Sequence, residues 1–426
     1  MITNRDKPEA YRPGKEGQGF FYGYIIVIFA TLVMLLAYGS RLSFGVFFKP
    51  MTAEFGWSRA LTSGAVTFSM VMQGLWGVVM GRFNDRFGPR FIMTLCCFLI
   101  GVGFLLMSLT NHLWQLYLFY GFFAGIGGGG VFVALLSTVA RWFVRKRAFM
   151  TGIVLTGIGL GTFFVPPLTT WLISLYDWRL SYVIIGGLVL TIGIVAAQYL
   201  KRDPSQMGLV PYGQREVERL EPTPTAGGLT LHEAVATRQF WMVAAIFAFV
   251  GYCIFAVSIH LVPHITDMGI TPATAANVLA ITGGVQAVSG IIMGYLADRI
   301  GSRWVLGIGL VLMSAALFWL VPVREIGMLY LFAATYGISV GASGTMEPII
   351  VADLFGIKSH GFILGVVSLS FTIGGAVGPF VTGYLFDLTG SYRLAFLICA
   401  LLAFTAIVLV ALLRSRFHSP SVAASQ

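Results

Sequence analysis

Two ionisable residues lie inside long apolar runs of the sequence, and a third stands at the end of such a run. They are Arg41, Glu347 and His260. An ionisable side chain at the depth of lipid tails is costly unless it faces a water-filled cavity or a partner, so each is a candidate functional residue. Arg41 offers a planar fork of N–H donors that suits a carboxylate ligand. The alternative is that its long side chain extends to the nearest lipid headgroups.

Glu347 and His260 are the two residues in these runs that could bind and release a proton. For Glu347, near the end of its run, one interpretation is an ion pair with Arg299 or Arg303 that holds a gate closed. The other is a carboxyl group that carries a coupled proton. His260 stands within one helical turn of Pro263. There it is either a polar anchor at the membrane surface or a proton relay.

Four neutral polar residues in the same runs are weaker candidates, namely Tyr38, Tyr120, Gln286 and Tyr336. Binding pockets use a few such groups to fix the orientation of a ligand. An interior tyrosine can equally donate its hydroxyl hydrogen to a neighbouring carbonyl as part of helix packing. Both interpretations of these four residues stay open on the sequence alone.

The runs belong to an integral membrane protein. Of 426 residues, 57% are hydrophobic and only 10% are charged, which is too few to cover a soluble globule of this size. The net charge is +10, but the basic residues lie in short turns between apolar runs and form no continuous polar face, so the charge does not indicate nucleic-acid binding. The four cysteines fall inside the runs, and we expect free thiols. No pattern of a catalytic centre, cofactor or metal site is evident, so we expect no enzyme, no cofactor and no bound metal.

Twelve runs are long enough to cross a bilayer as helices, six before and six after a polar stretch. The predicted division is a tail at 1–20, a six-helix bundle at 21–200, a linker at 201–238, a second six-helix bundle at 239–414 and a tail at 415–426. With the N-terminus in the cytoplasm, 21 of the 27 Lys and Arg residues fall on the cytoplasmic side and five on the other. This bias places both termini in the cytoplasm and the chain in the inner or plasma membrane.

A hydrophilic motif occurs twice, 213 residues apart. Gly81–Arg90 and Gly294–Arg303 both read G-x-x-x-D-R-x-G-x-R and both follow the second apolar run of their half. The motif resembles the signature loop of the major facilitator superfamily, found between helices 2 and 3 and between helices 8 and 9. The resemblance implies an all-α membrane fold of twelve helices in two pseudo-symmetric halves, which bind substrate between them and rock to alternate access.

The signature loops are the predicted gate. We expect Asp85 and Asp298, each with neighbouring basic groups, to close the cytoplasmic side by pairing with charges and helix ends across the boundary between halves. The basic groups of the two loops are Arg86, Arg90, Arg299 and Arg303.

A second resemblance indicates a branch of this superfamily. Arg141–Gly152, with an aromatic-Phe pair, basic residues and a glycine, resembles the helix 5 signature of the monocarboxylate transporters. Tyr22-Gly23-Tyr24 is similar to that family's opening of helix 1, and the bacterial oxalate/formate antiporters share several of these features. Arg41 adjoins Leu42, the position that matches the family's helix 1 lysine. However, Gln286 and Gly290 stand where the family carries an Asp and an Arg on helix 8.

The sequence therefore predicts a monomeric secondary transporter of a small organic anion such as a monocarboxylate, with a proton as the candidate coupled ion and no nucleic-acid partner. One alternative is an efflux transporter for neutral or amphipathic compounds. It is weakened by Gly121, which stands where drug–proton antiporters of this superfamily carry an arginine. A second alternative is a nutrient sensor that does not transport, although the tail after Arg416 is short for a signalling segment.

Overall fold

The computed structural model describes residues 21–57, 59–214, 228–323 and 325–413. Within them, twelve helices are long and apolar enough to cross a membrane, which confirms the predicted fold class. In chain order, α1 to α12 are Tyr22–Phe48, Gly64–Phe87, Pro89–Met107, Leu113–Trp142, Arg147–Leu175, Trp178–Gln198, Arg238–Leu261, Asn277–Ile300, Ser302–Leu320, Ile326–Phe355, His360–Phe386 and Arg393–Leu412.

Several helices continue beyond these spans. The helix of α2 begins at Arg59, that of α7 ends at Asp267, that of α8 begins at Pro272 and that of α11 ends at Thr389. Inside α1 the helix breaks after Leu42, and a second helix runs over Phe44–Phe55. A π-helical segment, Tyr117–Ala124, interrupts α4.

Glycines make the turns of both signature loops possible. Gly88 between α2 and α3 has φ +84°, and Gly301 between α8 and α9 has φ +93°. Residues with a Cβ atom rarely adopt these left-handed backbone angles, whereas glycine does so without a steric penalty. We call the end of the bundle that carries these two turns the signature face, and the other end the opposite face.

Glycines also bring helices of the two halves into backbone contact near the signature face. A Cβ atom on Gly81 of α2 would collide with the carbonyl of Gly361 at the start of α11. In the other half, a Cβ atom on Gly294 of α8 would collide with the carbonyl of Ala148 at the start of α5. The pairs α2/α11 and α8/α5 therefore form equivalent tight contacts between the halves, as expected for small residues at four-residue spacing.

The linker is described only in part. Its first residues lie against the turn between α4 and α5, where the Tyr212 carbonyl accepts hydrogen bonds from the amides of Val144 and Arg145, each at 3.0 Å. The linker cluster Arg215–Arg219, most of its Pro-, Thr- and Gly-rich stretch, and both terminal tails lie outside the described residues. The predicted domain boundaries stay predictions. All four cysteines are buried and free.

Candidate functional site

Arg41 is buried between three helices of the first half. Its side chain is 9% exposed and donates to Gln73 Oε1 at 2.6 Å and to Ser69 Oγ at 3.0 Å, both on α2. On α4, Gly128 leaves the space that the guanidinium group fills, since a Cβ atom there would collide with it. The two hydrogen bonds and this close packing fix the plane of the fork.

The guanidinium group points towards the middle of the bundle. The Cα atom of Arg41 lies about six residues from the middle of α1, or roughly 9 Å along the axis. Side chains of a helix lean towards its N-terminus, which for α1 is the direction of the bundle centre. The partners agree with this direction, because Gln73 lies at the middle of the helix Arg59–Phe87 and Gly128 at the middle of α4. The side chain thus extends away from the headgroups of the opposite face.

The partners of Arg41 are neutral. In the part of the chain that the structure describes, no carboxylate forms an ion pair with this guanidinium group. Its Nε atom is buried and has no hydrogen-bond partner. Gln73 also donates from Nε2 to the Tyr38 hydroxyl at 3.3 Å. The result is a polar cluster of Arg41, Ser69, Gln73 and Tyr38 that retains the positive charge.

Glu347 lies across the boundary from this cluster. It is 4% exposed on α10, and its Oε1 accepts a hydrogen bond from Ser368 Oγ of α11 at 2.6 Å. Gly74, which follows Gln73 on α2, packs against Leu369 and Thr372 of α11, so the helices that carry the cluster and Ser368 are in contact.

The arginines considered as partners of Glu347 have other contacts. Arg299 stacks on the Tyr295 ring at 4.6 Å, and Arg303 donates to the carbonyls of Val410 and Ala411. The structure therefore places Glu347 next to a serine and gives Arg299 and Arg303 different neighbours within their own half.

Two tyrosines predicted at the site are tied to backbone carbonyls. The Tyr120 hydroxyl donates to the Arg41 carbonyl, and the Tyr336 hydroxyl donates to the Cys253 carbonyl, both at 3.0 Å. Each tyrosine thereby joins the fourth helix of its half to the first helix of the same half. Gln286 is exposed on α8. His260 Nε2 lies 3.0 Å from the Pro379 carbonyl, and its ring packs against Tyr392 at 5.3 Å.

Asp85 crosses from the first half to the second. Its carboxylate accepts hydrogen bonds from the amides of Gly361 at 3.2 Å and Phe362 at 2.9 Å, in the first turn of α11. It also forms an ion pair with Arg141 of its own half at 2.9 Å. A carboxylate at this position satisfies amides that the helix leaves unpaired and interacts favourably with the helix dipole.

Asp298 makes the equivalent contact in the other direction. It accepts hydrogen bonds from the amides of Ala148 at 3.0 Å and Phe149 at 2.9 Å, in the first turn of α5. Nearby, Arg147 forms a further contact across the boundary with Asp353 at 3.4 Å. The structure thus holds the two halves together at the signature face by three carboxylates.

Arg86 and Arg90 of the first loop contact residues of the first half. The Arg86 guanidinium group stacks on the Phe87 ring at 5.3 Å, and Arg90 Nε donates to Gln198 Oε1 at 2.6 Å. Ser69, Gln73 and Ser368 were not predicted at the site, because neutral polar residues in apolar runs are common. Arg147 and Asp353 were not predicted as partners either.

No group of three or more possible metal ligands occurs among the residues that the structure describes. The site contains the buried cation of Arg41, the buried carboxyl group of Glu347 and the phenol of Tyr38. Such a set can bind an anion and a proton.

Comparisons with known proteins identify the family of the chain. A family model of the Major Facilitator Superfamily matches residues 30–276 and 243–425. The chain is 30% identical over 402 residues to monocarboxylate transporter 13 of Bos taurus, covering 91% of this chain and 88% of the relative. It is 27% identical over 406 residues to monocarboxylate transporter 12 of Rattus norvegicus, covering 89% of this chain and 82% of the relative.

Solved structures share the fold at lower identity. The E. coli fucose:proton symporter FucP superposes with a TM-score of 0.70 at 17% identity, covering 92% of this chain and 99% of that one. The human organic anion transporter MFSD10 (TETRAN) gives a TM-score of 0.68 at 16% identity, covering 92% of this chain and 100% of that one. The chain is therefore a member of the major facilitator superfamily, a membrane transporter related to the monocarboxylate transporters and not an enzyme.

Proposed function

We propose that the protein transports small organic anions, monocarboxylates among them, by alternating access and together with a proton. The single observation that carries the proposal is the Arg41 guanidinium group. It lies at mid-depth with neutral oxygen partners, no paired carboxylate among the described residues, and a buried Nε–H group that lacks an acceptor. A group of this kind is costly unless an anion completes it.

The fixed fork favours a carboxylate over a neutral group. Gln73 and Ser69 each accept one hydrogen bond, which leaves three of the five N–H groups of Arg41 to donate to a substrate. A planar, bidentate pair with a carboxylate is stronger than the single contact that a lysine could offer. The names of the relatives, monocarboxylate transporters 12 and 13, support the same class of substrate.

The contacts at the signature face explain how access to the site would alternate. The distribution of Lys and Arg supports a cytoplasmic location for this face, so the structure corresponds to a state closed towards the cytoplasm. Release of Asp85 and Asp298 from the first turns of α11 and α5 would let the halves separate there. Rocking about the centre would then expose the cluster around Arg41 to the cytoplasm.

The test is transport by the purified protein in liposomes. Counterflow of radiolabelled L-lactate and pyruvate is measured for the wild type, Arg41→Lys and Arg41→Ala, with lactamide as an uncharged competitor of lactate. We expect Arg41→Lys to retain transport with poorer affinity. Arg41→Ala should lose affinity by about 100-fold, because two charge-assisted hydrogen bonds contribute about 3 kcal/mol.

The matched control is Arg238, an exposed arginine at the start of α7. Arg238→Ala should transport like the wild type. Wild-type affinity in Arg41→Ala, or equal competition by lactate and lactamide, would show that the site does not recognise a negative charge. Either result would reject the organic-anion assignment.

A further inference from the structure

Glu347 is a buried carboxyl group of the second half. Its surroundings favour the protonated carboxyl group over an ionised one in an ion pair. We propose that Glu347, hydrogen-bonded to Ser368, is the proton-binding site of the transport cycle, so that the second half binds the proton while the first half binds the anion. This inference rests on the proposed function, since it names the group that couples a proton to anion transport.

The first argument is the absence of a cation. Glu347 is 4% exposed, and within the described ranges it takes part in no ion pair. Among the described side chains, its one hydrogen-bond partner is the neutral Ser368 hydroxyl. Burial of an ionised carboxylate without a cationic partner costs several kcal/mol, and a protonated carboxyl group avoids that cost. In the state described here, Glu347 is therefore protonated.

The charged groups on the helices around Glu347 have partners of their own. Towards the signature face, α10 and the helices packed against it carry Arg141 of α4, Arg147 of α5, Asp298 of α8, Arg303 of α9, Asp353 of α10 and the titratable His360 of α11. Arg141 pairs with Asp85 and Arg147 with Asp353, while Asp298 accepts amides of α5. His360 Nε2 lies 2.8 Å from the Pro348 carbonyl. These charged groups therefore form the contacts at the signature face and do not neutralise Glu347.

The second argument is the place of Glu347 relative to that gate. Ser368 lies two turns into α11, the helix whose first-turn amides bind Asp85. When α11 separates from α2 at the signature face, water reaches the Glu347 carboxyl group from that side. Hydration favours the carboxylate, so opening of the gate releases the proton to the face towards which the gate opens. Closure of the gate buries the group again and restores its preference for the proton.

The third argument is the link to the anion site. The Tyr38 hydroxyl accepts a hydrogen bond from Gln73 Nε2 of the anion site. Gly74, next to Gln73, packs against Leu369 and Thr372 of α11, the helix that carries Ser368. An anion bound to Arg41 adds negative charge close to Glu347 and so favours the protonated carboxyl group. Anion and proton therefore bind together, which is the condition for symport.

The experiment separates exchange from proton-driven accumulation. Purified wild type and Glu347→Gln in liposomes are compared in L-lactate counterflow, which requires no net proton movement, and in uptake driven by a gradient of about one pH unit. Such a gradient supports at most about tenfold accumulation with one proton per anion. We expect Glu347→Gln to exchange lactate at a rate within about threefold of the wild type and to accumulate none.

Glu325, an exposed residue at the start of α10, provides the control Glu325→Gln, which should accumulate lactate normally. If Glu347→Gln accumulates lactate as the wild type does, the inference is wrong. If the wild type itself shows no counterflow of lactate or pyruvate, the proposed function fails instead.

An infrared readout decides the case in which Glu347→Gln does not transport at all. A buried protonated carboxyl group gives a C=O stretching band that the amide of glutamine lacks. The difference spectrum of the purified proteins should contain this band for wild type minus Glu347→Gln and lack it for wild type minus Glu325→Gln. Ser368→Ala should shift the band, because it removes the hydrogen bond to Oε1. Absence of the band in the wild type would overturn the inference.

Discussion

Asp85 and Asp298 make the same contact in opposite directions across the boundary between the halves. Asp85 accepts the amides of Gly361 and Phe362, and Asp298 accepts those of Ala148 and Phe149. Asp298 lies 213 positions after Asp85. Gly361 and Phe362 lie 213 positions after Ala148 and Phe149. Each half therefore closes over the first turn of the fifth helix of the other, and the duplicated sequence forms a closed, two-fold arrangement at the signature face.

The first prediction concerns this arrangement. Asp85→Asn keeps an oxygen that can accept an amide but removes the charge, which weakens the contacts with α11 and Arg141. We expect the signature face to open more often, by roughly 5- to 30-fold for a loss of about 1 to 2 kcal/mol. Asp298→Asn should have an effect of similar size. The measurement is the rate at which a thiol reagent labels a cysteine introduced into α11 near the signature face.

Asp177→Asn is the matched control for the gate. Asp177 caps the start of α6 at the opposite face, and asparagine caps a helix about as well as aspartate. Its labelling rate should equal that of the parent protein. Unchanged labelling in both Asp85→Asn and Asp298→Asn would show that the carboxylates do not hold the signature face closed.

The second prediction uses an isosteric change beside Arg41. Gln73→Glu places a carboxylate 2.6 Å from the guanidinium group without a change of shape. An internal ion pair then competes with the substrate, and we expect the apparent affinity for lactate to fall by at least about tenfold. The measurement is lactate counterflow as a function of concentration.

Gln198→Glu supplies an unusually close control for this change. Gln198 accepts a hydrogen bond from Arg90, also at 2.6 Å, at the signature face and away from the cluster around Arg41. The same substitution therefore creates the same type of ion pair elsewhere in the protein. Equal effects of Gln73→Glu and Gln198→Glu on lactate affinity would contradict a special role for the charge of Arg41.

The third prediction concerns pH and the opposite face. Glu54 accepts hydrogen bonds from Trp178 Nε1 and Arg179 Nη1, each at 2.6 Å. The bond from the Trp178 indole is the main cause that lowers the pKa of Glu54 below its ordinary value of 4.5. Because the folded-state pKa is lowered, the stabilisation is present in full above pH 4.5 and disappears as the pH falls through the folded-state value.

Glu54→Gln should thus lower the apparent unfolding temperature of the purified protein at neutral pH, and this difference from the wild type should vanish in acid. Thermal unfolding measured across the acidic range checks the prediction. Glu325→Gln, which alters an exposed carboxylate, should lower the unfolding temperature less at neutral pH. A difference between wild type and Glu54→Gln that stays constant through the acidic range would contradict the assigned role of the carboxylate.

Local sequence was sufficient for the helices and the turns between them. Lipid tails leave backbone groups no partner outside a helix, so every apolar run of sufficient length forms one. The glycine that the duplicated loops share, Gly88 in one and Gly301 in the other, lies at the turn because a reversal between two such helices needs a residue that tolerates positive φ. The break after Leu42 and the π-helical segment around Tyr120 left no such pattern in the sequence.

The sequence by itself determined which residues carry ionisable groups into the membrane, because Arg41 and Glu347 are recognised by residue type and by position within an apolar run. The tertiary structure decided their partners, which come from residues such as Gln73, Ser69 and Ser368 on other helices. Packing of side chains between helices depends on the rotation of each helix about its axis, and a single sequence does not specify that rotation. Only the fold could therefore show that Arg41 points to the centre and that Glu347 faces a hydroxyl group.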